Sequence, residues 1–311
     1  MSLLVAVGGN AVHPENIRGT TEEQERLAER AAQALLPVIG ASNRVLITHG
    51  NGPVVGKILL RMMLTREAIP PMRLDVCVAH SQGGIGYMLM QALENALARA
   101  GNPRQSSCVV TQVEVDANDP AFAAPTKPIG PFFSEAEARE FERKGWRMME
   151  DAGRGWRHCV PSPEPRTVIN LAPIRALLDA GILVIAGGGG GIAITRNKRG
   201  EWQGVEAVVD KDLTSALLTR SLGIEDLLIL TVVERVAIDY GTPRQRYLDK
   251  VSATDLREYQ RAGHFATGSM GPKVEAALRH VAGGGRRAII GHLEQAAAAL
   301  AGKSGTHVIA G

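Results

Sequence analysis

The sequence predicts an α/β protein, with a mostly parallel central sheet, helices on both of its faces and one small protruding subdomain inserted in the chain. Three observations carry this prediction. Short β-branched runs alternate with amphipathic stretches of helical period, the pattern of successive βα units. A stretch rich in proline and aromatics, residues 116–166, interrupts the alternation once. Glycine supplies 35 of the 311 residues, against a usual share of about 7%, and it gathers where strand candidates end. With 45% hydrophobic and 22% charged residues, the chain can bury a real core and lacks the signature of disordered, fibrous or coiled-coil sequences.

Leu3–Val7 is the first strand expected; the apolar start lacks the basic flank of a signal peptide and soon runs into glycines. Further strands are expected at Arg44–Thr48, Cys108–Val115, Leu183–Ala186, Leu227–Thr231, Arg287–Ile290 and Thr306–Ile309. Helices are expected at Glu22–Ile39, opened by a capping box of Thr20 and Glu23, at Val54–Arg66 and at Cys77–Ala100. Four more follow at Leu213–Leu222, Ala253–Ala262, Pro272–Ala282 and His292–Ala301. Inside the inserted stretch, Ser134 with Glu137 three residues on opens one helix. The length allows two lobes, divided near Asn170–Leu183 into residues 1–175, which include the subdomain, and residues 176–311.

Several function classes are excluded. The net charge is only +3, from 35 Lys+Arg against 32 Asp+Glu, and no basic run is interleaved with aromatics, so nucleic acid is not an expected partner. Cys77, Cys108 and Cys159 are odd in number and widely spaced, which offers no disulfide framework or zinc site and fits a reducing cytoplasm. The uncharged, glycine-rich run 181–195 is shorter than the ~20 residues a membrane helix needs.

Four glycine clusters follow strand candidates or open helices: Gly8-Gly9-Asn10-Ala11, His49-Gly50-Asn51-Gly52-Pro53, Gly187–Gly191 and Gly268-Ser269-Met270-Gly271-Pro272-Lys273. Any one of them could be a tight turn. Together they fall at the carboxyl ends of strands, where open α/β sheets bind ligands and where glycine lets main-chain N–H groups approach phosphate oxygens. Two near-matches to known motifs fail. Asn51–Lys57 has asparagine for the first glycine of a P-loop, and Ile58 follows Lys57 where a magnesium-binding Ser or Thr belongs. Gly188, Gly190 and Ala193 fit G-x-G-x-x-A, but a polar turn follows rather than a helix able to carry a pyrophosphate.

Two lysines stand where helix physics disfavours them. Lys211, between Asp210 and Asp212, begins a predicted helix, and Lys273 follows Pro272 in the first turn of another. A cation at a helix N-terminus costs about 0.3–1 kcal/mol. An anion such as a polyphosphate bound there turns that cost into binding. Asp212 has two readings, an N-cap or a carboxylate that holds lysine ammonium groups or assists a magnesium ion. Lys127 sits in a proline-stiffened loop, so its reach is restricted. Arg154 and Arg157 are either a second anion-binding element or, the reading preferred, salt-bridged residues of the subdomain. No GxSxG elbow, HExxH motif or nucleophile with a paired base is present, and His49, beside a glycine loop, is the one histidine expected to line the site. Positive charge and glycine amides without an obligatory general base suit phosphoryl transfer to an acceptor that is already anionic.

The segments GGNA at 8–11, HGNGP at 49–53, SQGGIGY at 81–87, PTKPIGPF at 125–132, EDAGRGWR at 150–157, VPSPEP at 160–165, GVEAVVDKD at 204–212 and GSMGPK at 268–273 resemble those of carbamate kinases, in the amino acid kinase superfamily. The resemblance spans the chain in order. It implies an α/β/α sandwich, a homodimer, and the reversible reaction ATP + carbamate ⇌ ADP + carbamoyl phosphate with Mg2+. In that family the reaction usually runs toward ATP, consuming carbamoyl phosphate from arginine, agmatine or purine breakdown. Carried over by motif, Gly8, Gly9, Asn10, His49, Gly50, Asn51 and Gly52 hold the carbamate and the transferred phosphoryl. Asp210, Lys211, Thr231, Gly268, Ser269, Met270 and Lys273 serve the nucleotide, with Mg2+ held mainly by its phosphates. Lys211 and Lys273 neutralise the transferring and leaving phosphates, Asp212 orients them, and Lys127 reaches in from the subdomain. Val54 and His80 depart from the family pattern beside the acceptor loops. They leave two alternatives, a kinase of another small carboxylate and a catalytically silent nucleotide-binding regulator.

Overall fold

A computed structural model describes residues 1–9, 14, 17–151, 153–266 and 268–311; Asn10 lies outside the described residues. β1 (Ser2–Val7) leads to α1 (Thr21–Gly40), whose capping box closes in both directions between Thr20 and Glu23. β2 (Arg44–His49), α2 (Gly52–Thr65) and α3 (Leu74–Arg99) follow. α2 starts ahead of the predicted Val54 because Pro53, with its preset φ, serves as a first-turn residue.

The single strand expected at 108–115 is two strands, β3 (Ser106–Val109) and β4 (Gln112–Glu114), in different sheets. They separate at Thr111, whose backbone N–H goes to the Gln82 side chain instead of a strand ladder. Within the inserted stretch β5 (Lys127–Phe133), α4 (Glu135–Arg143), β6 (Met148–Glu150) and β7 (Trp156–Val160) form an antiparallel three-stranded sheet with one helix. The Ser134–Glu137 capping box opens that helix as expected. Phe133, Ala138 and Met148 make a separate small core there, joined by Trp146, Trp156 and Leu60 of α2. The subdomain meets α2 main chain to main chain: a Cβ on Gly56 would lie 2.1 Å from the Cα of Gly130.

β8 (Thr167–Val168) returns to pair with β4, and α5 (Leu171–Asp179) fills the stretch expected to divide two lobes. After β9 (Leu183–Ala186), the polar turn expected beyond the glycine run is the tip of a hairpin, β10 (Ile192–Arg196) with β11 (Trp202–Val208). The remaining elements are α6 (Lys211–Leu222), β12 (Asp226–Thr231), β13 (Ala237–Ile238), β14 (Arg246–Tyr247), β15 (Lys250–Ser252), α7 (Ala253–Arg261), α8 (Met270–Ala282), β16 (Arg287–His292), α9 (Ala296–Leu300) and β17 (Thr306–Ile309). The helix expected at 292–301 is shorter: a 3₁₀ turn, Leu293–Gln295, precedes the five residues of α9.

The main sheet has the order β15-β17-β16-β12-β1-β2-β9-β3. From β16 to β3 every pair is parallel, and β17 runs antiparallel to β16. Successive strand residues point to opposite faces, so each central strand serves two cores. Leu4 and Ala6 pack with Ile174 of α5, Leu218 of α6 and Val274 of α8. Leu3, Val5 and Val7 pack on the other face with Leu35 of α1, Leu89 of α3 and Ala296 of α9. The result is the expected three-layer sandwich, whose parallel strands β1, β2, β9 and β12 direct their carboxyl ends toward the glycine loops.

Candidate active site

The two lysines that oppose helix dipoles meet one carboxylate. Lys211 Nζ lies 2.5 Å from Asp212 Oδ1 and Lys273 Nζ 3.1 Å from Asp212 Oδ2, joining the first turns of α6 and α8. Asp212 is not the N-cap of α6. Asp210 has that role, its Oδ1 accepting from the N–H groups of Asp212 and Leu213, because only the residue preceding the first turn has free amides ahead of it. The other oxygen of Asp210 accepts from Lys127 Nζ at 2.7 Å; Lys127, expected in a loop, is the first residue of β5, and the bond ties the start of that strand to the start of α6. Three ammonium groups thus share two carboxylates, and the four carboxylate oxygens are all engaged.

The centre of this cluster, the Lys211–Asp212 pair, is buried, while Lys127, Asp210 and Lys273 are half-buried. Lys211 is 8% and Asp212 3% exposed. Burial pushes the Asp212 carboxyl up, but the Lys211 and Lys273 ammonium groups outweigh it and hold the group well below the usual carboxylate range. Asp210 is likewise held down, with Lys127 overcoming the effect of burial. Burial lowers Lys211 despite Asp212, whereas for Lys273 the two aspartates prevail over burial and raise it. Buried ion pairs of this sort contribute little net stability, since desolvation offsets attraction. Their arrangement is better explained by an anion that collects the surplus positive charge.

The glycine loops close around the cluster. A Cβ on Gly50 would stand 2.6 Å from the Gly9 nitrogen, so the loops after β1 and β2 touch backbone to backbone, and Gly8 N–H donates to the Leu230 carbonyl at 2.8 Å. Gly187–Gly191 is not an open lining but a packed bed. A Cβ on Gly188 would strike the His49 ring at 2.5 Å, one on Gly189 the Asn51 amide at 2.1 Å, and one on Gly190 the Val209 carbonyl at 2.3 Å. His49 is accordingly buried beneath the loop, 1% exposed, and burial lowers it to about 4. It supports Gly50, whose carbonyl lies 3.1 Å from Nδ1, and is neutral near pH 7. Asn51 does not cap α2; its Nδ2 donates to Ser81 Oγ at 2.8 Å. The N-terminus of α8 is also without a side-chain cap at Ser269, but there Gly271 N–H donates to the Ala266 carbonyl and Pro272 has no N–H, so α2 presents more free main-chain donors than α8. Gly52 and Gly268 have open space where a side chain would point.

Thr231 ends β12, and Gly268, Ser269 and Met270 lead into α8 beside Lys273, whose Nζ is 3.4 Å from the Ser269 carbonyl. Arg157 is buried in the subdomain, donating to the Gly130 carbonyl and facing Asp151, while the exposed Arg154 pairs with Asp151 and stacks over Phe132. Val54 packs against the second core and His80 is exposed on α3. Two further polar groups, Ser81 and Gln82 of the SQGG segment, are buried beside the site, and nothing in the local pattern of α3 signals it. A depression of about 320 Å³ at the amino ends of β12 and β16, lined by Thr219, Glu225, His280 and Arg286, is a poor rival for a phosphate. The carboxyl ends of α6 and α8 flank it with partial negative charge, and Arg286 is committed to Asp226.

The chain resembles known proteins over its whole length. The model of the amino acid kinase family matches residues 1–292. The carbamate kinase of Pyrococcus horikoshii is 46% identical over 309 residues, covering 98% of each chain. The structure of Giardia lamblia carbamate kinase bound to citric acid superposes with a TM-score of 0.95 at 40% identity, covering 100% of this chain and 98% of that one. The same enzyme bound to AMP-PNP gives 0.90 at 40% identity, with the same coverage. The chain therefore belongs to the amino acid kinase family and, within it, to the carbamate kinases.

Proposed function

We propose that this kinase transfers a phosphoryl group reversibly between ATP and carbamate. A carbamate oxygen attacks the γ-phosphorus in line, the bond to the β,γ-bridging oxygen breaks, and ADP leaves with the electron pair. The acceptor is already an anion, so no side chain has to remove a proton, and the protein's contribution is positioning and charge. Lys211 and Lys273 neutralise the transferring and leaving phosphates. Asp212, through its two oxygens, fixes the separation of their ammonium groups, and this bridge is the observation that carries the proposal. The loops of Gly8, Gly9, Gly50 and Gly52, with Asn51 and the His49 support, hold the acceptor; Thr231 and Gly268–Met270 serve the nucleotide.

Lys127 competes for Asp210 and, on this reading, turns to phosphate when substrate enters. Mg2+ arrives on the nucleotide phosphates, consistent with carboxylate oxygens already committed to lysines and helix amides. Residues 1–175, with the subdomain 116–166, form the acceptor lobe and residues 176–311 the nucleotide lobe. In the cell the reaction runs toward ATP in catabolism of arginine, agmatine or purines. The three free cysteines suit a cytoplasmic setting, and among the described residues no helix is long and apolar enough to cross a membrane.

Purified protein with Mg2+, ADP and carbamoyl phosphate is expected to yield ATP. Lys211→Ala and Asp212→Asn are each expected to lower the rate by about 100-fold or more, the loss seen when one preorganised charge donor is removed. Wild-type protein that folds and binds ADP but makes no ATP refutes the assignment and leaves the silent regulator. ATP-dependent phosphorylation of acetylglutamate or glutamate in preference to carbamate selects the small-carboxylate kinase.

A further inference from the structure

The five consecutive glycines that support Asn51 and α6 cannot hold their own shape. Gly187, Gly189, Gly190 and Gly191 have φ of +64°, +62°, +88° and +90°, values that glycine adopts freely and leaves as freely. Their two internal bonds, Gly190 N–H to the Gly187 carbonyl and Gly191 N–H to the Gly188 carbonyl, are single turns. Side chains from outside must therefore set the run. Thr214 of α6 donates to the Gly190 carbonyl at 2.8 Å, and Thr111 Oγ1 accepts from Gly187 N–H at 2.8 Å. The third clamp is Gln82 of α3, 1% exposed. Its Nε2 donates to the Gly188 carbonyl at 3.0 Å and to the Thr111 carbonyl at 3.1 Å, while its Oε1 accepts from Thr111 N–H at 2.8 Å.

We infer that Gln82 is a positioning residue for phosphoryl transfer, holding the glycine run at Gly188 so that Gly189 backs the Asn51 amide. Both protons of its amide are used, so no shift of the run leaves Gln82 satisfied. Ser81, its neighbour on α3, holds Asn51 directly at 2.8 Å. Consecutive residues of one helix thus fix the acceptor-side amide, one by contact and one through the loop beneath it. Gln82 holds the run at Gly188, beside the Asn51 amide, whereas Gly190 is clamped by Thr214 of α6 itself, so Gln82 governs the placement of the acceptor rather than that of the α6 lysine. This inference rests on the kinase reading proposed above.

The experiment replaces the amide by an apolar group of similar length, Gln82→Met. The expected result is a kcat for ATP formation lowered by about 10- to 100-fold, the scale of a reacting group misplaced by about 1 Å, with the KM for ADP unchanged within twofold. Hydrogen exchange of the 187–191 amides is expected to accelerate, without an equal change in the strands of the main sheet. Gln82→Glu, which keeps the acceptor for Thr111 N–H and removes the donors to both carbonyls, is expected to give the same split and serves if Gln82→Met does not fold. A kcat within twofold of wild type, or parallel losses in kcat and ADP affinity, overturns the inference. Unchanged exchange at 187–191 overturns it as well, even if wild-type protein makes no ATP and the kinase reading itself falls.

Discussion

His49 and His158 are shut away from water for different reasons, one under a glycine bed and one stacked on Trp146 at 4.1 Å, and burial lowers both to about 4 from 6.5. Between these values the unfolded chain binds protons that the folded chain refuses, so stability is full above about pH 6.5 and declines as pH falls toward 4. By pH 5 the loss is about 2 kcal/mol for each histidine, and His280, also lowered by burial, acts in the same direction. Urea midpoints are expected to fall between pH 7 and pH 5, and His158→Phe to remove part of the decline; a flat profile contradicts this. At this scale the sequence was informative where a residue violated a local rule. Lys211 and Lys273 were conspicuous because each opposes a helix dipole. Asp212 stayed ambiguous, because which of two neighbouring aspartates caps the helix depends on side-chain direction. Gln82 and Ser81 broke no rule, since uncharged polar residues inside a helix do not announce that they are buried.

Elements were legible where period and caps agreed. The capping boxes at Thr20 and Ser134 placed two helix starts correctly, and β1 and β9 matched closely. The errors arose where partners distant in sequence decide. The break at Thr111 needs Gln82, 29 residues away, and the β10–β11 hairpin is stabilised by pairing to β4 that no local pattern reveals. The docking of the subdomain is another such case, and two opposed effects make it testable. In an exposed helix Gly→Ala gains about 1 kcal/mol. At Gly56 the added methyl would lie 2.1 Å from the Gly130 main chain, an overpacking that costs about 1–3 kcal/mol. Gly56→Ala is therefore expected to lower thermal stability and loosen residues 116–166 toward protease. A rise in the melting temperature would show that the joint yields.

For the molecule as a whole, the layered architecture followed from the alternation of elements, because parallel strands joined through helices bury both faces of their sheet. Oligomeric state does not follow in that way. Val76 and Tyr87 on α3 and Val110 beyond β3 are 38%, 54% and 50% exposed, an apolar exposure that fits the homodimer the family resemblance implies. Sedimentation is expected to give twice the mass of one chain, and a monomer at micromolar concentration refutes it. The two cores impose a further condition on the central strands. Because odd residues of β1 face one set of helices and even residues the other, inserting one residue between Ala6 and Val7 moves Leu3–Ala6 to the opposite faces and exchanges occupants of both cores at once, whereas inserting two merely slides them. Length variation in these strands is therefore subject to parity: the fold can absorb changes in pairs, and an odd change has to be confined to a loop.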